Sequence, residues 1–321
     1  MSRRDMILAA AVASLWGFNF LVIDWGMTGV PPLLFVAIRF LLVAAFAVIV
    51  PPPATSWRTV VGVGLFMSLG QFGLLYTSLA LGLSPGLSAL LLQAQAVLTV
   101  VLAAGVLRER PTTAQSLGVA LGVVGLALVA LGRGGQAPAF AVALALAAAL
   151  SWAIGNVIAR RAGVVSGRGR LGALSLTVWS ALVVPVPALG LAFLIDGPAA
   201  VVGGVAAFGV EAVLSTLYTG VLCTLIGYAV FNSLLARNRS ASVVPWVLLA
   251  PVVAMASAAL LLGQLPTAGE AVGGVMLIGG VLVASRPARG RRRRARHRLR
   301  GAPVTTGLAG SHPVEEVARL G

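Results

Sequence analysis

Two amides, Gln93 and Gln95, stand inside "SALLLQAQAVLTVV" (residues 88–101), a stretch otherwise apolar enough for a lipid bilayer. Other polar groups share their situation. Arg39 lies within "PPLLFVAIRFLLVAAFAVIV" (31–50), while Trp16 with Asn19, Ser68 with Gln71, Trp152 with Asn156 and Thr224 with Tyr228 are spaced i,i+3 or i,i+4. Those spacings put two side chains on one face of a helix. Amides, hydroxyls, indoles and a guanidinium are binding groups. They hydrogen-bond a polar solute, hold an ammonium over a ring with about 0.5–2 kcal/mol, and offer a carboxylate a planar, two-pronged donor. Hydrolytic or metal chemistry needs other residues. Both histidines, His297 and His312, lie at the C-terminal end, and no two acids fall together inside an apolar run. No catalytic residue, metal ligand or cofactor is therefore assigned.

The elements that must position these groups follow from composition. Of 321 residues, 59% are hydrophobic and only 10% charged, against roughly a quarter charged in a soluble domain. The mean hydropathy is +1.01. Spanning a hydrocarbon core takes roughly 20 apolar residues as helix, and strand-like alternation is absent. The apolar runs are 6–24, 32–50, 59–81, 85–107, 113–131, 138–160, 172–195, 212–235, 241–262 and 269–285. They predict an all-α integral membrane protein with ten transmembrane helices. The first run is read as a transmembrane helix, since no small-residue cleavage site follows it. With the N-terminus in the cytoplasm, the arginines at 3, 4, 58, 108, 110, 160, 161, 168, 170, 237 and 239 face inward, and only Arg133 faces out. This asymmetry follows the positive-inside rule. It predicts a multi-pass protein of the inner (plasma) membrane with both termini cytoplasmic. The cluster "SRPARGRRRRARHRLR" (285–300) supplies much of the net charge of +15. Beside a membrane helix, such a cluster suits anionic lipid, and no nucleic acid is expected. Residues 286–321 read as a basic, disordered cytoplasmic tail. Oligomeric state is left open, and Cys223, the single cysteine, reads as packing.

The chain also repeats itself. Shifting residues 76–130 forward by 155 positions pairs "YTSLA" with "FNSLL", Pro111-Thr112 with Pro266-Thr267, Gly118 with Gly273 and Gly125 with Gly280. "SLWGFN" (14–19) likewise corresponds to "LSWAIGN" (150–156). Each unit, 6–131 and 138–285, holds five spans, so the second copy enters the membrane from the opposite side. Inverted repeats are an architecture of secondary transporters, with the substrate site between the repeats near the midplane.

Helical phase sorts the polar residues. Gln93 and Gln95 are separated by about 200° on a straight helix. Gln95 aligns with Ser88 and Thr99 in a stripe suited to a wet cavity, whereas Gln93 is expected to bond a neighbouring helix. Arg39 needs compensation, because an arginine in the bilayer costs at least about 2.5 kcal/mol. Either Asp24 pairs with it, or it receives a substrate carboxylate. The tryptophans read either as packing or as walls of a cavity.

The residues "WGFNFLVI" (16–23), "PPLLFVAIRF" (31–40), "GLSALLLQAQA" (86–96), "SWAIGN" (151–156), "SLTVWSAL" (175–182), "LIDGPA" (194–199) and "PVVAMASAALLL" (251–262) resemble the EamA family of the drug/metabolite transporter superfamily. Within it they are most similar to bacterial O-acetylserine/cysteine exporters. The resemblance runs from the first span to about residue 285. It implies two inverted five-helix repeats around a central cavity and efflux of small metabolites. Asp24 departs from the lysine often found at its position in that family, and Gln264 from the glutamate often found in the second repeat. The leading expectation is alternating-access export of a small-molecule substrate such as cysteine or O-acetylserine. The expected substrate path holds Arg39, Gln95, Gln71, Asn19, Asn156, Trp16, Trp152 and Tyr228. The alternatives are an exporter of hydrophobic or cationic drugs, with Trp16, Trp152 and Trp246 defining the cavity, and a membrane enzyme acting on lipid-linked substrates.

Overall fold

A computed structural model describes residues 1–108, 110–132, 138–163, 172–238 and 240–284, all within one unit spanning Met1–Arg286. Every described element is helical, and the apolar runs read above fall on helices, 172–195 on two of them. The helices are α1 (Arg3–Gly26), α2 (Pro32–Ala45), α3 (Trp57–Ala80), α4 (Pro85–Val106), α5 (Thr113–Gly132) and α6 (Ala139–Arg161). They continue as α7 (Gly172–Ala181), α8 (Pro185–Ile195), α9 (Pro198–Ala206), α10 (Val210–Arg237), α11 (Pro245–Leu262) and α12 (Ala268–Ala284). Among the described residues, six helices are long and apolar enough to cross a membrane, or seven if α7 and α8 count as one bent span. Helical backbone satisfies its own polar groups, which a hydrocarbon solvent requires.

Start signals in the sequence explain several helix ends. Ser2, Ser56 and Ser84 accept hydrogen bonds from the backbone N–H of Asp5, Thr59 and Leu87, each a cap worth about 1 kcal/mol. At α5 the Thr112 N–H donates to Gln115 Oε1 while the Gln115 N–H donates to Thr112 Oγ1. Thr267 and Glu270 form the same reciprocal box at α12, 155 positions later. The region expected as a single span at 172–195 is instead bent by 43° between α7 and α8. Pro185, which starts α8, cannot donate to a continuing helix and displaces the turn before it. The short helix α9 lies between the apolar runs 172–195 and 212–235.

Two π-helical segments interrupt the long helices, Gly64–Gly70 within α3 and Tyr218–Gly227 within α10. Moved by 155 positions, the first falls inside the second. Such insertions loosen the hydrogen-bond ladder and recur at functional sites. Each is buttressed by α6 or α1 from the other half of the chain. Ser151 donates to the Phe66 carbonyl at 2.8 Å, and Trp16 Nε1 donates to the Cys223 carbonyl at 3.0 Å.

Helices α5 and α12 pack through glycines. A Cβ on Gly118 would strike the Gly280 carbonyl oxygen, and one on Gly125 would strike that of Gly273. The pairs run in opposite order along the two helices, so the helices are antiparallel and close enough to exclude side chains. Small residues permit this approach where no hydrophobic effect drives helices together. At another helix end, Asp5 of α1 meets Arg237 at 3.5 Å and accepts from Asn238 Nδ2 at 3.1 Å, joining the start of α1 to the end of α10. The stretch 286–321, read as a basic tail that suits anionic lipid, lies outside the described residues, as do Arg133, Arg168, Arg170 and Arg239.

Candidate functional site

Polar side chains from both halves converge on a cavity of about 210 Å³. Helix α1 contributes Trp16 and Asn19, α2 Arg39, α3 Gln71 and Phe72, and α4 Gln93 and Gln95. From the second half come Trp152 of α6, Cys223, Thr224, Tyr228 and Phe231 of α10, and Val247, Ala250 and Pro251 of α11. The i,i+3 and i,i+4 pairs explain how one helix presents several of these groups at once.

Arg39 is the most buried charge on this wall, 2% exposed. Its Nη1 donates to the Tyr76 hydroxyl at 2.8 Å and its Nη2 to Thr224 Oγ1 at 3.2 Å, with the Thr219 carbonyl at 3.5 Å. The guanidinium carbon stands 4.1 Å from the centre of the Phe72 ring, 5.2 Å from Phe40 and 5.7 Å from Tyr76. Thr224 in turn donates to the Thr219 carbonyl at 2.8 Å, five residues back in the π-helical segment. Neutral oxygens and ring faces thus hold the cation, and its Nε has no partner among the described residues.

The expected pairing of Arg39 with Asp24 is not formed. Asp24 sits one residue before the exposed Trp25 near the end of α1 and is half-buried, away from the cavity wall. Rings and hydroxyls from α2, α3 and α10 do the compensating, at separations of up to 185 residues.

Of the eight residues expected on the substrate path, seven line the cavity: Trp16, Asn19, Arg39, Gln71, Gln95, Trp152 and Tyr228. Asn156 stands behind the wall, where its Nδ2 donates to Gln95 Oε1 at 3.1 Å and to Thr99 Oγ1 at 3.3 Å. It orients Gln95 rather than facing the space itself. Ser88 is fully buried, and its hydroxyl has no partner among the described residues; of the stripe expected from Ser88 through Gln95 to Thr99, Gln95 lines the cavity while Ser88 and Thr99 stand off it. Gln93 was expected to bond a neighbouring helix, yet it lines the cavity together with Gln95. The reason is a break in α4. The Gln93 N–H donates to the Leu90 carbonyl and the Ala96 N–H to that of Gln93, the three-residue spacing of a tighter turn. At about 120° per residue, two steps separate the amides by about 120° instead of 160°, measured the short way. Trp246 lies off the cavity and packs with Ala9, Leu234 and Val243.

Sequence reasoning did not single out Phe72 and Tyr76, although their i,i+4 spacing and position just after Gln71 were a readable signal. Cys223 lines the cavity rather than merely filling space, and its Sγ stands 3.6 Å from the Leu15 carbonyl. Trp16 ties these parts together, with its ring 5.2 Å from that of Tyr228 and 5.3 Å from that of Phe231.

Among the described residues, a bundle of apolar helices, several long enough to cross a membrane, around a largely apolar cavity that carries polar side chains from both halves has the form of a membrane transporter. Residues 4–131 and 139–286 each match the EamA-like transporter family, and the chain belongs to that family. It is 38% identical over 286 residues to a probable amino-acid metabolite efflux pump of Salmonella typhimurium strain LT2, covering 88% of this chain and 95% of that one. The protein of the same description from Escherichia coli strain K12 is 37% identical with the same coverage. A probable terminal-alkyne amino-acid exporter of Streptantibioticus cattleyicolor is 33% identical over 215 residues, covering 65% of this chain and 67% of that one. A protein solved by crystallography superposes with a TM-score of 0.57 at 21% identity, covering 88% of this chain and 98% of that one, a likeness of fold alone.

Proposed function

We propose that this protein exports small amino-acid metabolites across the cytoplasmic membrane, with Arg39 receiving the substrate carboxylate. The observation that carries this reading is the guanidinium at the cavity wall, buried among neutral groups with its Nε unpartnered. A carboxylate entering the cavity would meet a planar donor with no competing anion. Gln71, Gln95, Trp152 and Tyr228 orient the remainder of the solute, and the aromatic wall limits its size. The descriptions of the relatives from Salmonella and Escherichia coli favour the same substrate class. Cysteine and O-acetylserine are the specific candidates.

The export cycle rests on a finer reading of the fold: ten transmembrane helices in two inverted five-helix repeats, 6–131 and 138–285, that rock about the cavity. In that reading, α2, α5 and α12 cross the membrane and α7 with α8 makes one broken span. Helices α5 and α12, with 20 and 17 residues, meet the lower bound of about 17 residues for a span. Support comes from the two matched family segments, the capping boxes and π-helical segments recurring at one offset, and the antiparallel glycine contact of α5 with α12. The joined ends of α1 and α10 fit an even number of crossings between the N-terminus and residue 237. Both termini are then cytoplasmic in the inner membrane, and the arginine-rich tail meets anionic lipid.

The test is efflux of labelled cysteine and O-acetylserine from cells carrying the wild type, Arg39→Ala or Arg39→Lys at matched membrane levels. Efflux by the wild type and by neither variant is expected, since lysine cannot reproduce the planar geometry. Undiminished efflux by Arg39→Ala removes Arg39 from the path. The rings of Trp16, Phe72, Trp152, Tyr228 and Phe231 on the wall favour a second reading, export of hydrophobic or cationic drugs. That reading gains if uncharged aromatic compounds compete better than amino acids.

A further inference from the structure

Two buried polar atoms on residues of the cavity wall have no partner among the described residues, Nε of Arg39 and Oδ1 of Asn19. Arg39 is 2% exposed and Asn19 9%. Leaving such a group unsatisfied costs about 1–3 kcal/mol, so the pair stands as an unmet demand on two residues that line the cavity. The two demands are complementary in kind. Arg39 offers a cationic donor, and Asn19 offers a neutral acceptor. A solute that meets both must carry an anionic acceptor at one end and a donor at the other.

The surroundings of Asn19 say which donor fits. Trp16 precedes it by one turn on the same face of α1, and both line the cavity. The Trp16 N–H is already engaged with the Cys223 carbonyl, which leaves its ring as what it can offer a solute. Tyr228 packs against that ring with 5.2 Å between centroids. Ring faces attract cations. Among the described residues, no carboxylate lines the cavity, so a cation here is held by an amide dipole and aromatic faces rather than by a full charge. Such a site suits an ammonium on a solute that is neutral overall.

We infer that Asn19 Oδ1 receives the α-ammonium of the transported solute, so that Asn19 and Arg39 together select α-amino-acid zwitterions over carboxylates lacking a free amino group. This inference rests on the amino-acid export reading above and names the residue that confers its selectivity. A solute with only one of the two charged ends satisfies one orphan and leaves the other buried.

O-acetylserine and N-acetylserine test it, being isomers with one carboxylate each that differ in whether the amino group is free. The full chain is reconstituted in liposomes, and uptake of each labelled isomer is measured at about pH 6, where a free α-amino group is protonated. The wild type is expected to prefer O-acetylserine by about tenfold or more, because a site built to pair a polar group rejects the analogue lacking it. Asn19→Leu should bring that ratio close to one while the protein still unfolds cooperatively on heating. If Asn19→Leu does not fold, Asn19→Ala is read in the same way, and the wild-type ratio stands as a test by itself. Equal transport of both isomers by the wild type overturns the ammonium assignment while leaving carboxylate capture by Arg39 intact. A preference undiminished in the Asn19 variant overturns it too. Transport of neither isomer sinks the amino-acid reading and this inference with it.

Discussion

Arg39 of α2 donates to the Tyr76 hydroxyl of α3 at 2.8 Å, and both side chains are almost wholly buried. The bond turns the guanidinium toward the π-helical segment of α10 and fixes which of its nitrogens remains unpaired. Tyr76→Phe keeps the ring and removes the acceptor. A loss of about 1.5–3 kcal/mol is expected, the range for hydrogen bonds to charged groups. The check is denaturation of the purified protein in detergent, together with efflux at matched expression. Unchanged stability would mean that water takes the place of the hydroxyl.

Gln95 and Asn156 bring α4 and α6 together behind the cavity wall. Polar bonds between helices in membranes average about 0.6 kcal/mol and seldom exceed 2. A double-mutant cycle with Gln95→Leu and Asn156→Leu should therefore give a small positive coupling. Efflux should fall further than stability in Asn156→Leu, because Gln95 loses its orientation. Equal and proportionate losses in both would assign the pair to packing alone.

The glycine contact between α5 and α12 predicts sharp steric sensitivity. Gly118→Val puts three carbons where the Gly280 carbonyl already lies, so little folded protein should be recovered from the membrane. Gly105→Ala, with nothing within 4 Å of the added Cβ, should leave yield and melting temperature unchanged. Normal recovery of Gly118→Val would show that the two helices can separate without cost.

Orientation is open to reporter fusions. Alkaline phosphatase needs an oxidising compartment for its disulfides, so it should be active when fused after Gly29 and inactive when fused after Pro53. A fluorescent protein fused at the C-terminus should glow. Phosphatase activity at the C-terminal fusion would require an odd number of crossings and break the two-repeat arrangement.

Much of the cavity was legible because polar residues in apolar runs are expensive and therefore conspicuous. Trp16, Asn19, Arg39, Gln71, Gln95, Trp152 and Tyr228 stood out on that ground, and all seven line one space. Helical spacing within each run told which of them share a face. The Thr112 and Thr267 boxes were open to the same local reading, since a cap depends on residues three apart. Partner choice was beyond the sequence, because it depends on which helices touch. Arg39 finds Tyr76 and Thr224 at 37 and 185 residues' distance, and no local rule ranks those above Asp24. Phase was lost wherever the helix departs from 3.6 residues per turn. The tight turn at Gln93 brought both amides of "LQAQA" to the cavity, and the π-helical segments re-aimed the residues around Cys223. What the sequence by itself determined was therefore the set of helices and the polar groups they carry into the membrane, since burial energy and helical period act locally. Only the tertiary structure decided which of those groups meet, and which buried polar atoms, Arg39 Nε and Asn19 Oδ1 among them, lack a partner among the described residues, because these depend on packing between helices distant in the chain.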